Sequence, residues 1–425
     1  MDHKTLAVAV IVAGAAIAGA YTVGKQQGQS SATAPAPKPA AAAAPPAAAP
    51  AASAPAAMAP QAAAGAAAAA HQGMNREGKV GFNPSERFTH FRVGNKNVKS
   101  IYADGGTMWV GTSGGVVRYE LANDRFKLFD VKTGLLSNGM FYVGRIQGKL
   151  TVGTYGGGMS MLDEEKGTWE NFNIPQGLGD AFVYDVIETR DGDVWIATWS
   201  GVNRVKGGKL HDRSQWELHT VASTGGGLPN DWVYGLAEGK NGEIWLATEG
   251  GMARFADGQW ENWNHARGIG APYEKVRDDI AFKDDPGKAS QHHAQQKREM
   301  GLQDVDQAYN PNYIVALEVD QDGSVWAGTW GGGLAHYVDG NWVNVTTKEG
   351  LPGNHVFMLH RDDKNRLWIG TNNGLALKQD NGYKILRTGD GLFSNAVFSM
   401  ATTEDGSLWV GSYGGVAHIR GDTIN

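Results

Sequence analysis

Over most of the chain, apolar residues alternate with polar ones in short runs, and Asp-Gly, Asn-Gly or Gly-Gly pairs separate the runs. A period of two marks strands with one buried face, and such turn pairs join strands as hairpins. Between Asn354 and Arg387 the pattern predicts four strands, HVFMLHR, RLWIGT, LALKQ and YKILR, with DDKN, NNG and DNG as turns. One phrase then recurs along the chain: MWVGTSGGV (108–116), LTVGTYGGGM (150–159), VWIATWSGV (194–202), IWLATEGGM (244–252), VWAGTWGGGL (325–334), LWIGTNNGL (367–375) and LWVGSYGGV (408–416). Its second position falls at Trp109, Thr151, Trp195, Trp245, Trp326, Trp368 and Trp409, with gaps of 42, 44, 50, 81, 42 and 41 residues. A period of this length means a repeat architecture.

Four-stranded meanders repeated around a ring make a β-propeller. The expected fold is all-β: a seven-bladed β-propeller closed by N- and C-terminal strands in one blade. An N-terminal hydrophobic helix and an Ala/Pro-rich linker are expected to precede it. Each Trp is a plate suited to the space between blades, so the repeat with Thr151 should pack less well. The last repeat has three strand signals before Asn425 and lacks a fourth. Arg87–Arg92 (RFTHFR) matches the fourth-strand pattern and is expected to supply it, removing two open edges.

The first 80 residues read differently. Residues 5–20 form an apolar run behind Lys4, short for a bilayer span of roughly 20 residues. Ala18-Gly19-Ala20 also suits a small-residue cleavage site. The 1–24 segment is therefore read as a signal anchor or as a cleaved signal peptide, and either sends the remainder out of the cytoplasm. From Ser30 to Gly73 nearly every residue is Ala or Pro. Frequent prolines prevent a helix, leaving a semi-stiff linker of up to roughly 130 Å. The expected division is 1–24 segment, 25–80 linker and 81–425 propeller, with an insertion at 265–310 filling the long gap.

Composition narrows the function. The formal net charge of −6 provides no basic face for nucleic acid. Cys is absent, so disulfides, thiolate metal sites and a lipidated Cys are excluded. The 60 glycines sit largely in the repeated phrases and turns. No H-E-x-x-H or Walker motif is present. No cofactor is expected.

The segments GLPGNHVFMLHRDDKNRLWIGTNNGL (350–375) and GLFSNAVFSMATTEDGSLWVGSYGGV (391–416) carry the pattern G-L-x-x-N-x-V followed by W-[IV]-G-[TS]-x-x-G. This pattern resembles the two-component regulator propeller repeat, and the resemblance covers roughly residues 87–425. It implies the extracytoplasmic sensor part of a membrane histidine kinase. No kinase, receiver or DNA-binding segment is read here, so binding or sensing is implied and the output is left open.

The residue after each G-T, A-T or G-S is equivalent around the ring: Ser113, Tyr155, Trp199, Glu249, Trp330, Asn372 and Tyr413. Strand order places these beside the fourth-to-first loops, on the face where the insertion must also emerge. Tyr155, Trp199, Glu249, Trp330, Asn372 and Tyr413 are the candidate binding residues, because aromatics around a mouth stack on sugars, flat rings or peptides. Lateral packing onto neighbouring loops is the competing reading. Within the insertion, Pro272 opens a short helix carrying Val276 and Ile280, and Ser290 to Gly301 frame a second one. The insertion is read as a cap over the mouth, a partner-docking element or a mobile excursion. His292 and His293 are adjacent and so poorly spaced for a shared metal. Asn138, Asn230, Asn354 and Asn395 are read as loop-stabilising.

The leading expectation is a non-enzymatic, membrane-tethered module on the periplasmic or extracellular side. It would bind an unknown protein, small-molecule or glycan partner and serve as sensor subunit or assembly scaffold. One alternative is an enzyme resembling the streptogramin lyases, with a metal at the mouth and His355 as its best candidate. Another is a rigid structural platform in an envelope complex.

Overall fold

The computed structural model describes residues 76–83, 85–280, 288 and 291–424. The anchor or signal segment and most of the linker lie outside the described residues. Among the described residues, no helix is long and apolar enough to cross a membrane.

The chain forms an all-β propeller. Five repeats make separate four-stranded antiparallel sheets, with first strands Met140–Ile146, Val183–Glu188, Val233–Glu238, Asn310–Val319 and Val356–Arg361. The expectation of seven separate blades is corrected here. The first and last repeats are merged into one eight-stranded sheet. The strand Phe88–Asp104 belongs to both: Phe88–Arg92 pairs with Gly415–Ile419, and Val98–Asp104 pairs with Thr107–Thr112. The physical reason is local. In most other repeats a Gly-Leu turn and a one-turn 3₁₀ helix separate a fourth strand from the next first strand, as at Thr347–Glu349 and Thr388–Asp390. Between Arg92 and Val98 that turn sequence is missing, and the backbone stays extended. A short outer strand, Glu77–Lys79, adds to the same sheet beside Arg125–Phe129. First strands of neighbouring sheets touch all the way round the ring.

The core lies between sheets. Trp195 packs against Val233, Leu236 and Leu246 of the following repeat, and Trp245 against Ile314, Val325 and Ala327. Trp409 and the side chains around Ile101, Val110 and Val117 pack together, so the two halves of the eight-stranded sheet face each other as separate sheets do elsewhere. Phe91 stacks on Trp409 with ring centroids 5.1 Å apart and planes 8° from parallel. Thr151 is itself fully buried, and Met161, paired with it across the sheet, is buried with Met159, Leu210 and Trp216.

The Thr-x-x-Gly part of the phrase is a turn device. Thr248 Oγ1 donates to the Gly251 carbonyl at 2.8 Å and accepts the Gly250 N–H at 3.1 Å. Gly251 has φ 126°, and a Cβ there would lie 2.1 Å from the Trp263 carbonyl oxygen. Only glycine fits that combination of left-handed backbone and close approach. The loop asparagines are equally structural. Asn138, Asn354 and Asn395 each accept an N–H from the 3₁₀ turn before them. Asp231, not Asn230, plays that part in the fourth repeat, accepting from Val221.

Candidate ligand cavity

Six of the first strands contain a register shift near their start, for example between Met140 and Tyr142, Val183 and Asp185, Val233 and Gly235, and Val356 and Met358. The skipped residue is extra to the ladder, and a bulge of this kind re-aims a side chain. Along the ring these residues are Lys99, Phe141, Tyr184, Tyr234, Val315 and Phe357, and Phe398 matches them in the last repeat. All seven line one cavity of about 420 Å³. Its position follows from that lining: it sits where the first strands converge.

The wall is a near-continuous arc of aromatic rings. Centroids step from Phe141 to Tyr184 at 4.5 Å, to Tyr234 at 4.9 Å and to Tyr313 at 5.0 Å. The arc continues to Trp330 at 5.5 Å, Phe357 at 5.7 Å and Phe398 at 5.3 Å. The first repeat interrupts it with Asn97, Lys99 and Ser113. The Lys99 ammonium lies 4.8 Å from the Phe398 ring centre. Its side chain is partly exposed at the cavity, and burial lowers its pKa to about 8. Burial likewise raises the phenols of Tyr184, Tyr234 and Tyr313, so they stay neutral donors at ordinary pH.

The six predicted residues divide evenly. Tyr155, Trp199 and Trp330 line the cavity. Trp199 packs on Phe182 and Trp232 while remaining partly exposed. Glu249 is fully buried beneath the insertion, with His293 Nδ1 2.8 Å from one carboxylate oxygen and the Tyr234 hydroxyl 3.3 Å from the other. Asn372 accepts the His355 N–H at 3.2 Å, a turn contact outside the lining. Tyr413 is 8% exposed and meets Phe398 edge-on, behind the wall. The reading after G-T therefore missed the inner tier at Phe141, Tyr184, Tyr234, Phe357 and Phe398. A signal for it existed: in each of these repeats an aromatic residue directly follows the valine or methionine at or just before the start of the first strand, Met140, Val183, Val233, Val356 and Val397.

The insertion reaches the mouth on one side. Its helices are Tyr273–Val276 and Gln291–Glu299. Val276 and Ile280 pack with Ala271 and Tyr309. The second helix is joined to the propeller by the His293–Glu249 pair and by Asn310, which donates to Gln296 at 2.8 Å. Among the described residues, no group of three or more His, Asp or Glu is arranged for a metal. His355 is fully buried, its Nε2 donating to the Ala308 carbonyl at 2.8 Å, and burial holds its pKa down at about 4. It braces the insertion's return and does not face the cavity.

The family model described as "Two component regulator propeller" matches residues 177–200, 227–250, 308–331, 350–373 and 391–414. Those five segments match the repeat of that family. Two solved structures similar to this chain are extracellular domains of proteins described as hybrid two component systems of B. thetaiotaomicron. They are 17% and 18% identical, with TM-scores of 0.57 and 0.55, over 76% and 78% of this chain. The chain spans only 40% and 39% of those two domains. A catalytically inactive virginiamycin B lyase from Staphylococcus aureus, solved with quinupristin, covers 78% of this chain. The propeller covers 98% of the lyase, at 10% identity and a TM-score of 0.53. At these identities the likeness is one of fold. No curated protein matches the chain.

Proposed function

We propose that this chain is an extracytoplasmic, membrane-tethered binding module, without catalysis of its own, that takes a small molecule or glycan into the axial cavity. It would serve as a sensor subunit or assembly scaffold, with the 1–24 segment as its tether. The observation that carries this reading is the cavity of about 420 Å³, lined by the bulge residues, most of them aromatic. A concave, mostly apolar site with a few polar groups is the usual form of a small-molecule pocket. The insertion, seated on Glu249 through His293, would cap one sector of its mouth.

The test is a ligand-observed NMR fragment screen on the purified full chain, repeated with Trp199→Ala. Binding of ring compounds that weakens at least about tenfold in the variant supports the reading. A screen in which no compound depends on Trp199 contradicts it. Separately, a reporter enzyme active only outside the cytoplasm, fused after Ile424, should be active and sediment with membranes. An inactive fusion would remove the extracytoplasmic assignment.

A further inference from the structure

The cavity is lopsided in charge. Among the described residues lining it, Lys99 is the one charged side chain. No ion pair or hydrogen bond reaches its ammonium among the described residues, and it lies over the face of Phe398. The carboxylate on the opposite flank, Glu249, is turned away into its contacts with His293 and Tyr234. The phenols of Tyr155, Tyr184, Tyr234 and Tyr313 are all held neutral by burial. A cation in a low-dielectric pocket with no fixed counter-charge attracts an anion far more strongly than the same cation in water. Neutral amide and hydroxyl groups at Asn97 and Ser113 lie in the same sector and can donate to the anion's second oxygen.

We propose that the axial cavity selects a flat, ring-bearing organic acid, its ring against the aromatic arc and its carboxylate on the Lys99 ammonium beside Asn97 and Ser113. This rests on the binding reading above and names the ligand class for that site. The cavity volume suits one or two rings with a short acidic arm. The lowered Lys99 pKa, about 8, gives the site a pH limit. The tyrosines facing the ligand do not titrate in that range, so the loss of affinity in alkali belongs to Lys99.

Calorimetric titration of the purified full chain with indole-3-acetate and indole-3-acetamide separates charge from shape. At pH 7 the acid is expected to bind at least about tenfold more tightly than the amide, the scale of one hydrogen bond to a charged group. Lys99→Met should abolish the preference for the acid over the amide. The unmodified protein should lose about tenfold in affinity for the acid between pH 7 and pH 9.5, with the amide unaffected, which tests the claim without a variant. Equal affinity for acid and amide overturns the inference. If both are then weakened by Trp199→Ala, the binding reading survives that failure. A preference for the acid that persists in Lys99→Met also overturns the inference. Binding of neither compound overturns it together with the binding reading.

Discussion

Trp368 and Trp199 are the same residue type on the second strand and its adjoining turn, and they serve opposite ends. Trp368 is fully buried between two sheets, its indole N–H on Asp362 at 2.9 Å. Trp199 lies four residues beyond its own repeat's plate, Trp195, and keeps part of its ring free at the cavity. The space between sheets repeats with the sequence, because every interface meets the same geometry. The axial wall is built from equivalent positions too, yet its side chains vary from Lys99 to Val315 to Phe398. The difference teaches that aromatic content alone does not mark a site here. What marks it is an aromatic residue placed where the fold leaves nothing to cover it.

The largest effects should come from the interfaces. Trp368→Ala is expected to cost about 3–5 kcal/mol in urea unfolding, and Trp199→Ala only about 1 kcal/mol. Equal losses would erase the distinction between plate and wall. Next, Phe91→Ala should cost about 3 kcal/mol, because its ring is stacked on Trp409 across the shared strand. A neutral result by the same measurement would mean that the Phe88–Arg92 pairing does not hold the ring closed. His293→Ala removes a partner from the buried Glu249 carboxylate and should cost about 2 kcal/mol, with faster proteolysis of the insertion. An unchanged digestion rate would mean that the pair does not fasten the insertion.

The smallest effect concerns Asp185 in a first strand. It accepts N–H groups from Leu236 and Val186, but burial outweighs them and raises its pKa to about 6. The native state therefore binds this proton more tightly than the unfolded chain, whose carboxyl titrates near about 3.9. That contribution to stability is full below about pH 3.9 and is lost as pH rises through about 6. Asp185→Asn should gain about 1 kcal/mol at pH 8 relative to its effect at pH 5. The same change in stability at both pH values would contradict the assignment.

Much of this was legible in the chain. The recurring phrase located the strands, the turn glycines and the plates, because turn chemistry and strand alternation are local. The merging of the first and last repeats was not legible in that way. It follows from a turn that is missing between Arg92 and Val98, and absence of a turn leaves no positive pattern. Half of the predicted rim was misplaced for a related reason. Glu249 is covered by a helix from the insertion, and Tyr413 stands behind Phe398, both outcomes of packing between distant segments. The inner tier was missed because a bulge shifts facing by one position, so strand alternation points its residues the wrong way.

The most direct measurement is the position of a bound ligand in crystals of the full chain saturated with indole-3-acetate. The account predicts electron density inside the ring of first strands, with the indole against the Tyr184–Phe398 arc and the carboxylate on Lys99. Density confined to the outer faces of the sheets, or an axial cavity holding only solvent, would contradict it.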